Sequence, residues 1–158
     1  MKHTFSVLVE NKFGVLARVA GLFAARGFNI DSLAVSPTNS PEVSHMTIVV
    51  DAPEERILEQ IKKQLNKLVD TIRVRDLTGQ DFIDRELVLA KVAINPKSRP
   101  QLLEIAQSLQ ARIDEAVPDT VTLELSGDAN KIHTLLELLK PFEIKEIVRT
   151  GRIAMSRK

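Results

Sequence analysis

The hydrophobic and polar positions of this chain predict a repeating series of short strands and helices. Between Thr4 and Glu10 apolar residues tend to occupy alternate positions, as in a strand with one buried face. From Val15 the apolar spacing changes to three and four residues, which is typical of an amphipathic helix. Strands are predicted at 28–36, 43–50 and 69–77, with a second helix ahead of the last. The predicted order of the first half is therefore βαββαβ.

The same order repeats in the second half, after the polar segment Thr78–Asp81. Strands are predicted at 86–94, 111–117, 120–125 and 143–155, the last interrupted at Gly151, with helices at 98–109 and 128–140. The fold class is therefore predicted to be α+β, with two ferredoxin-like βαββαβ domains. We expect residues 1–78 to form the first domain, 79–84 a linker and 85–158 the second domain.

Two helix starts carry recognisable capping patterns. Asp51 precedes Pro53 and Glu54, an arrangement that predicts an N-cap followed by a favourable first turn. Ser98 is the corresponding cap candidate for the first helix of the second half.

Each predicted domain has one sheet face that no helix covers, and the edges of its sheet are free. Uncovered faces and edges are usually resolved by pairing with a second copy. The sequence therefore predicts a homodimer.

The composition narrows the class of protein. The 22 basic and 21 acidic residues nearly balance, which argues against nucleic acid or an anionic membrane as the main partner. There is no cysteine, so disulfides and thiolate chemistry are excluded. No apolar run approaches the roughly 20 residues that a membrane helix requires, and the first residues lack the pattern of a signal peptide. We expect a soluble cytoplasmic protein.

No set of residues suggests catalysis or metal binding. His3, His45 and His133 are isolated, with no carboxylate at ligand spacing. Glycine-rich phosphate loops are absent, and the serines have no base close in sequence. We therefore predict no catalytic residue, no metal site and no enzymatic activity for this chain alone. A small enzyme on a ferredoxin-like scaffold is the least favoured alternative, although a fold by itself never excludes activity.

The turn between the first strand and the first helix is the strongest candidate for a binding site. The first N–H groups of a helix have no internal partner, so the backbone of Gly14, Val15 and Leu16 can receive a carboxylate. Gly14 permits close approach to the backbone, and Asn11 can donate or accept a hydrogen bond. The plain alternative is that Asn11 only shapes the turn and Gly14 only supplies an unusual backbone angle.

Asn29 is a candidate binding residue only if the chain forms a dimer. It opens the second strand, within an otherwise apolar stretch. If two chains pair along these edges, Asn29 of one chain can face the Asn11 turn of the other. Without such pairing, a surface amide is the simpler interpretation.

Two segments carry a resemblance to a known family, VENKFGVLARVAGLFAARGFNIDSL in the first half and IKEIVRTGRIAM in the second half. Through these segments the chain resembles the ACT-domain family, and within it the acetolactate synthase (acetohydroxyacid synthase) small regulatory subunits. It covers nearly the whole chain. It implies that the first domain is an ACT domain.

The resemblance also implies a function. Members of this family perform no chemistry; they activate a large catalytic subunit, which carries thiamine diphosphate, Mg²⁺ and FAD, and they mediate feedback inhibition by valine in branched-chain amino acid biosynthesis. The effector lies between the N-terminal domains of a homodimer. Carried over to this chain, Asn11 and the Gly14–Leu16 backbone would meet the carboxylate, and Asn29 and Ile30 of the second chain would complete the site. Phe13, in the same turn, departs from the family pattern and is expected to influence affinity.

A stand-alone amino-acid sensor that controls another enzyme or a transcription factor remains the main alternative. A generic sensor has no need of the C-terminal segment IKEIVRTGRIAM, which favours the regulatory subunit.

Overall fold

The computed structural model describes residues 2–52 and 55–158. Contacts divide the chain into two compact units, one that runs through Ile83 and includes Arg152–Lys158, and one formed by Asp84–Gly151. In chain order the elements are β1 (Lys2–Glu10), α1 (Val15–Ala24), β2 (Ile30–Pro37), β3 (Val43–Asp51), α2 (Glu55–Lys67), β4 (Thr71–Asp76), β5 (Phe82–Ala93), α3 (Arg99–Leu109), β6 (Arg112–Val117), β7 (Thr120–Gly127), α4 (Ala129–Leu139), β8 (Ile144–Arg149) and β9 (Ile153–Ser156).

The first unit is built on a four-stranded antiparallel sheet in the order β2-β3-β1-β4. Alternate residues of β1, namely Phe5, Val7 and Val9, are fully buried against α1 and α2. The helices contribute Val19 and Ile61 to the same core. This is the period of two on a strand meeting the apolar stripe of a helix. β2 and β4 are left as the two edges of the sheet.

The second unit repeats the plan with strands in the order β6-β7-β5-β8. Its core takes alternate residues of β5 and β7 together with Leu102 of α3 and Leu135 of α4. α4 begins at a true cap, since Oδ1 of Asp128 accepts a hydrogen bond from the Lys131 N–H at 2.8 Å. Two ferredoxin-like βαββαβ units of mixed α+β class confirm the predicted fold.

The domain limits differ from those predicted in two places. Residues 82–84, expected in the linker, begin β5. Arg152–Lys158, expected in the second domain, belong to the first unit. The reason is a set of hydrogen bonds to that unit: the Arg152 N–H donates to Ser32 Oγ at 2.9 Å, and the Ala154 N–H donates to Thr47 Oγ1 at 3.2 Å.

Neither predicted N-cap is confirmed as a side-chain cap by the described residues. Ser98 precedes α3 but makes no side-chain capping bond, since its Oγ instead accepts from the Asn95 N–H at 2.9 Å. Asn95 Oδ1 in turn accepts from the N–H groups of Lys97 and Ser98. Asp51 is the last residue of β3, while Pro53 and Glu54 lie outside the described residues. Among the helices described, none is long and apolar enough to cross a membrane.

Candidate functional site

The turn between β1 and α1 is held in place by hydrogen bonds to the loop before β3. The Asn11 N–H donates to the Glu42 carbonyl at 2.7 Å, and Asn11 Nδ2 donates to the Pro41 carbonyl at 2.8 Å. Both bonds tie the end of β1 to the loop before β3. Asn11 therefore does shape the turn, as the plain interpretation held, yet its Oδ1 accepts no hydrogen bond within residues 2–52 and 55–158.

Gly14 sits at the N-cap of α1 with φ +79°, in the left-handed region. No side chain caps the helix. The Val15 N–H reaches the Lys12 carbonyl only at 3.4 Å, and the described part of the chain supplies no acceptor for the N–H groups of Gly14 and Leu16. A helix start with free N–H groups and the positive end of the helix dipole is suited to a carboxylate.

Arg18 lies directly behind this turn. Its Nε and Nη2 both approach Asp70 Oδ2 at 2.8 Å, and the Asp70 side chain is only 9% exposed. A Cβ added to Gly14 would lie 3.0 Å from Arg18 Nη1. Glycine is favoured here by the positive φ, and an added Cβ would also require the Arg18 guanidinium to shift slightly. The Asp70 carbonyl also accepts from the Glu10 N–H at 2.9 Å, so the Arg18–Asp70 pair braces the end of β1.

The side chains around the turn differ in exposure. Phe13 is 99% exposed and Leu16 is 45% exposed, whereas Val15 is buried in the core. Val15 can thus offer a ligand only its backbone, while Phe13 and Leu16 can offer apolar surface.

Asn29 and Ile30 lie at the other end of the sheet. Ile30 pairs with Val50, and Val50 pairs with His3, at the start of β1. The Asn11 turn follows the end of β1, seven residues later, a separation of roughly 20 Å along a strand. Asn29 is exposed, and its amide makes only a long contact of 3.4 Å to Asp31 Oδ1. The structure of one chain therefore does not bring Asn29 to the turn.

Sequence reasoning did not find the Arg18–Asp70 pair, because its partners are 52 residues apart and neither lies in a local motif. The described residues contain no group of three or more His, Cys, Asp or Glu side chains placed to hold a metal ion.

Both halves of the chain match models of known families. The AHAS small subunit-like ACT domain matches residues 5–73, and the small subunit of acetolactate synthase matches residues 85–158.

Relatives resemble the chain over almost its full length. A probable acetolactate synthase small subunit of Archaeoglobus fulgidus is 46% identical over 99% of this chain and 98% of its own length. The acetolactate synthase small subunit of Mycobacterium bovis is 47% identical over 98% of this chain and 92% of its own. The crystal structure of the acetolactate synthase small subunit from Thermotoga maritima superposes with a TM-score of 0.88 at 32% identity, covering 100% and 98% of the two chains.

Proposed function

The chain belongs to the family of acetolactate synthase small subunits, and we propose that it regulates the large catalytic subunit by binding a branched-chain amino acid, with valine as the inhibiting effector. In this proposal the small subunit activates the catalytic subunit, performs no chemistry itself, and acts in the cytoplasm. Thiamine diphosphate, Mg²⁺ and FAD belong to the catalytic partner.

The observation that carries the proposal is the open turn before α1. The free N–H groups of Gly14 and Leu16 can bind the effector carboxylate, and the unengaged Oδ1 of Asn11 can accept from its ammonium group. Phe13 and Leu16 supply exposed apolar surface for the branched side chain. Both ends of an α-amino acid and its side chain thus have a matching group within one turn.

A homodimer explains how Asn29 and Ile30 take part. β2 is an edge strand, and two β2 strands related by a two-fold axis would pair antiparallel. Such pairing places the Asn29 end of the partner subunit's β2 beside the Pro37 end of this one. Pro37 pairs with Ser44 of β3, next to Val43, which pairs with Glu10 at the Asn11 turn. The partner subunit's Asn29 and Ile30 then lie on the same side of the assembly as the turn.

An effector held between two chains can regulate because it stabilises one arrangement of the dimer over another. The shift can be no larger than the difference in its affinity for the two arrangements. The catalytic subunit would sense that arrangement through its contact with the small subunits.

The first test compares two glycine substitutions. Gly14→Asp adds bulk and a negative charge beside the backbone that should receive the effector's carboxylate, so calorimetry should show loss of valine binding. Gly79→Asp is the matched control, because Gly79 also has a positive φ (+72°) but nothing lies within 4 Å of its would-be Cβ. The proposal fails if Gly14→Asp binds valine like the wild type, or if valine, leucine and isoleucine all give no heat with the wild-type protein, alone or with the catalytic subunit.

The second test asks whether the site is shared between chains. Gly14→Asp and Asn29→Ala should each lose valine binding alone. In a heterodimer of the two, one site carries both changes and the other carries neither. Random 1:1 mixing after dissociation should therefore restore about a quarter of the sites. No recovery would contradict a shared site.

Activity assays with the catalytic subunit separate regulation from sensing alone. Gly14→Asp should still activate the catalytic subunit while losing inhibition by valine. Tight valine binding without any effect on the catalytic subunit would favour the stand-alone sensor instead.

A further inference from the structure

The face of the first sheet that points away from α1 and α2 carries a polar cluster. Direct cross-strand partners share a face, and here Ser6 pairs with Arg75 while Leu8 pairs with both Arg73 and His45. Two arginines of β4 therefore lie on one side of β1, and a histidine of β3 lies on the other. None of these four polar residues belongs to the turn at Asn11–Leu16 that is proposed to bind the effector, hereafter the effector turn.

The C-terminal strand β9 turns this face into a cavity. The Ala154 N–H bonds to Thr47 Oγ1 on the same sheet face, and the next residue, Met155, lines a cavity of about 170 Å³. The remaining lining includes Ser6, Leu8 and His45, together with Arg73 and Arg75. A cavity of this size accepts a compact molecule, since liquid water occupies about 30 Å³ per molecule.

The two arginines have no anionic partner in the part of the chain that is described. Some arginines elsewhere are paired with a carboxylate, as Arg18 is with Asp70 and Arg149 with Glu86. Arg73 and Arg75 form no ion pair or hydrogen bond among residues 2–52 and 55–158, and no carboxylate lines the cavity. Both arginines are exposed, and guanidinium groups bind carboxylates with two parallel hydrogen bonds, so the two side chains can receive an anion from solvent.

His45 adds a polar group with a titratable proton. Its Nε2 lies 2.8 Å from Ser6 Oγ, and burial lowers the pKa of the imidazole below its ordinary value of 6.5. The charged groups that face it are Arg73 and Arg75 of β4; its β2 neighbour is Ser36, and Met155 and Ser156 of β9 carry no charge. A bound anion would favour the protonated imidazole and raise this pKa.

We propose that this cavity is a second ligand site that binds a short-chain carboxylate, with Arg73 and Arg75 holding the carboxylate group and Leu8 and Met155 contacting the hydrocarbon part. The apolar walls beside the cations favour a carboxylate with a tail over inorganic phosphate. The volume of about 170 Å³ favours a small molecule over an extended acidic peptide.

The proposed site is independent of the effector turn. It uses the opposite sheet face, and its ligand contacts come from one chain. Gly14→Asp should therefore keep the second site intact, so failure of either proposal can be recognised separately.

The decisive experiment is a titration of the full-length protein with butyrate, acetate, inorganic phosphate and a hexaglutamate peptide, monitored by calorimetry and by the imidazole NMR signal of His45. We expect butyrate to bind best and to raise the pKa of His45. Arg73→Gln/Arg75→Gln should weaken butyrate binding by about tenfold or more, the scale of one lost charge-assisted contact. The control, Arg99→Gln/Arg112→Gln, removes two exposed arginines of the second unit and should bind butyrate normally.

The hydrocarbon contact is tested by Met155→Ala, which should weaken butyrate binding more than acetate binding. Ile153→Ala is its control, because Ile153 lies on the same strand but does not line the cavity. Binding of no anion, or equal loss in the control double variant, would overturn the site. Phosphate or hexaglutamate binding more tightly than butyrate would overturn the assignment of its ligand.

Discussion

Arg18 and Asp70 form an ion pair that joins α1 to the turn between α2 and β4 and lies directly behind the glycine of the effector turn. The Asp70 carboxylate is nearly buried, whereas about half of the Arg18 side chain is exposed. The pair also fixes the backbone of Asp70, whose carbonyl accepts from the Glu10 N–H. The pair therefore helps to fix the position of the turn.

Replacing Arg18 should cost stability because it strands a buried carboxylate. We expect Arg18→Met to lower the free energy of unfolding by about 1–2 kcal/mol in urea titrations followed by circular dichroism. Lys2→Met is the control, since the Lys2–Asp31 pair is more exposed and should contribute less than about 0.5 kcal/mol. Equal losses in the two variants would contradict the bracing role.

Phe13 is almost fully exposed to solvent, so replacing it should change the affinity for the effector and leave the stability of the fold nearly unchanged. Phe13→Ala should change the unfolding free energy by less than about 0.5 kcal/mol, yet weaken valine binding by about threefold or more through lost apolar contact. Val69→Ala removes another strongly exposed apolar side chain and should leave valine affinity unchanged. Unaltered valine binding in Phe13→Ala would remove Phe13 from the proposed site.

In the second unit, Arg149 and Glu86 form a bidentate pair with N–O distances of 2.6 and 3.0 Å. The Glu86 side chain is buried, and its hydrogen bonds raise the pKa of Arg149. Arg149→Met should destabilise the protein by about 2 kcal/mol, whereas Glu86→Leu/Arg149→Met should lose less, because no buried charge is left alone.

The control for that pair is Lys145→Met, which breaks an exposed pair with Glu143. Its effect on urea unfolding should be close to zero. A double variant less stable than Arg149→Met would contradict a penalty for the unmatched carboxylate of Glu86.

His45 should make stability depend on pH in a defined direction. Its pKa is lowered by burial, so the unfolded chain binds a proton more readily than the folded one. The contribution of the neutral His45 imidazole to the free energy of unfolding is fully present above pH 6.5, and it declines as the pH falls from there toward the lowered pKa of the folded state. His45→Gln should reduce the loss of unfolding free energy between pH 7.5 and 5, with His133→Gln, an exposed histidine of α4, as the matched control. An unchanged pH profile in His45→Gln would contradict burial of the neutral imidazole.

Local patterns in the sequence were sufficient to predict most of the strands and helices and their order. The alternation in β1, the helical spacing after Val15 and the repeat of the βαββαβ order are short-range signals, because each element buries one face. The glycine at the start of α1 is also a local signal, since a left-handed backbone angle is required within the turn itself.

Only the tertiary structure decided which distant residues meet. The sequence placed the last seven residues with the second domain because they follow it in the chain. Hydrogen bonds from Arg152 and Ala154 to side chains more than 100 positions earlier place them in the first unit. The Arg18–Asp70 pair and the cavity beside His45 arise in the same way. Such contacts join side chains across strands and helices, and they leave no periodic trace along the chain that a sequence pattern can reveal.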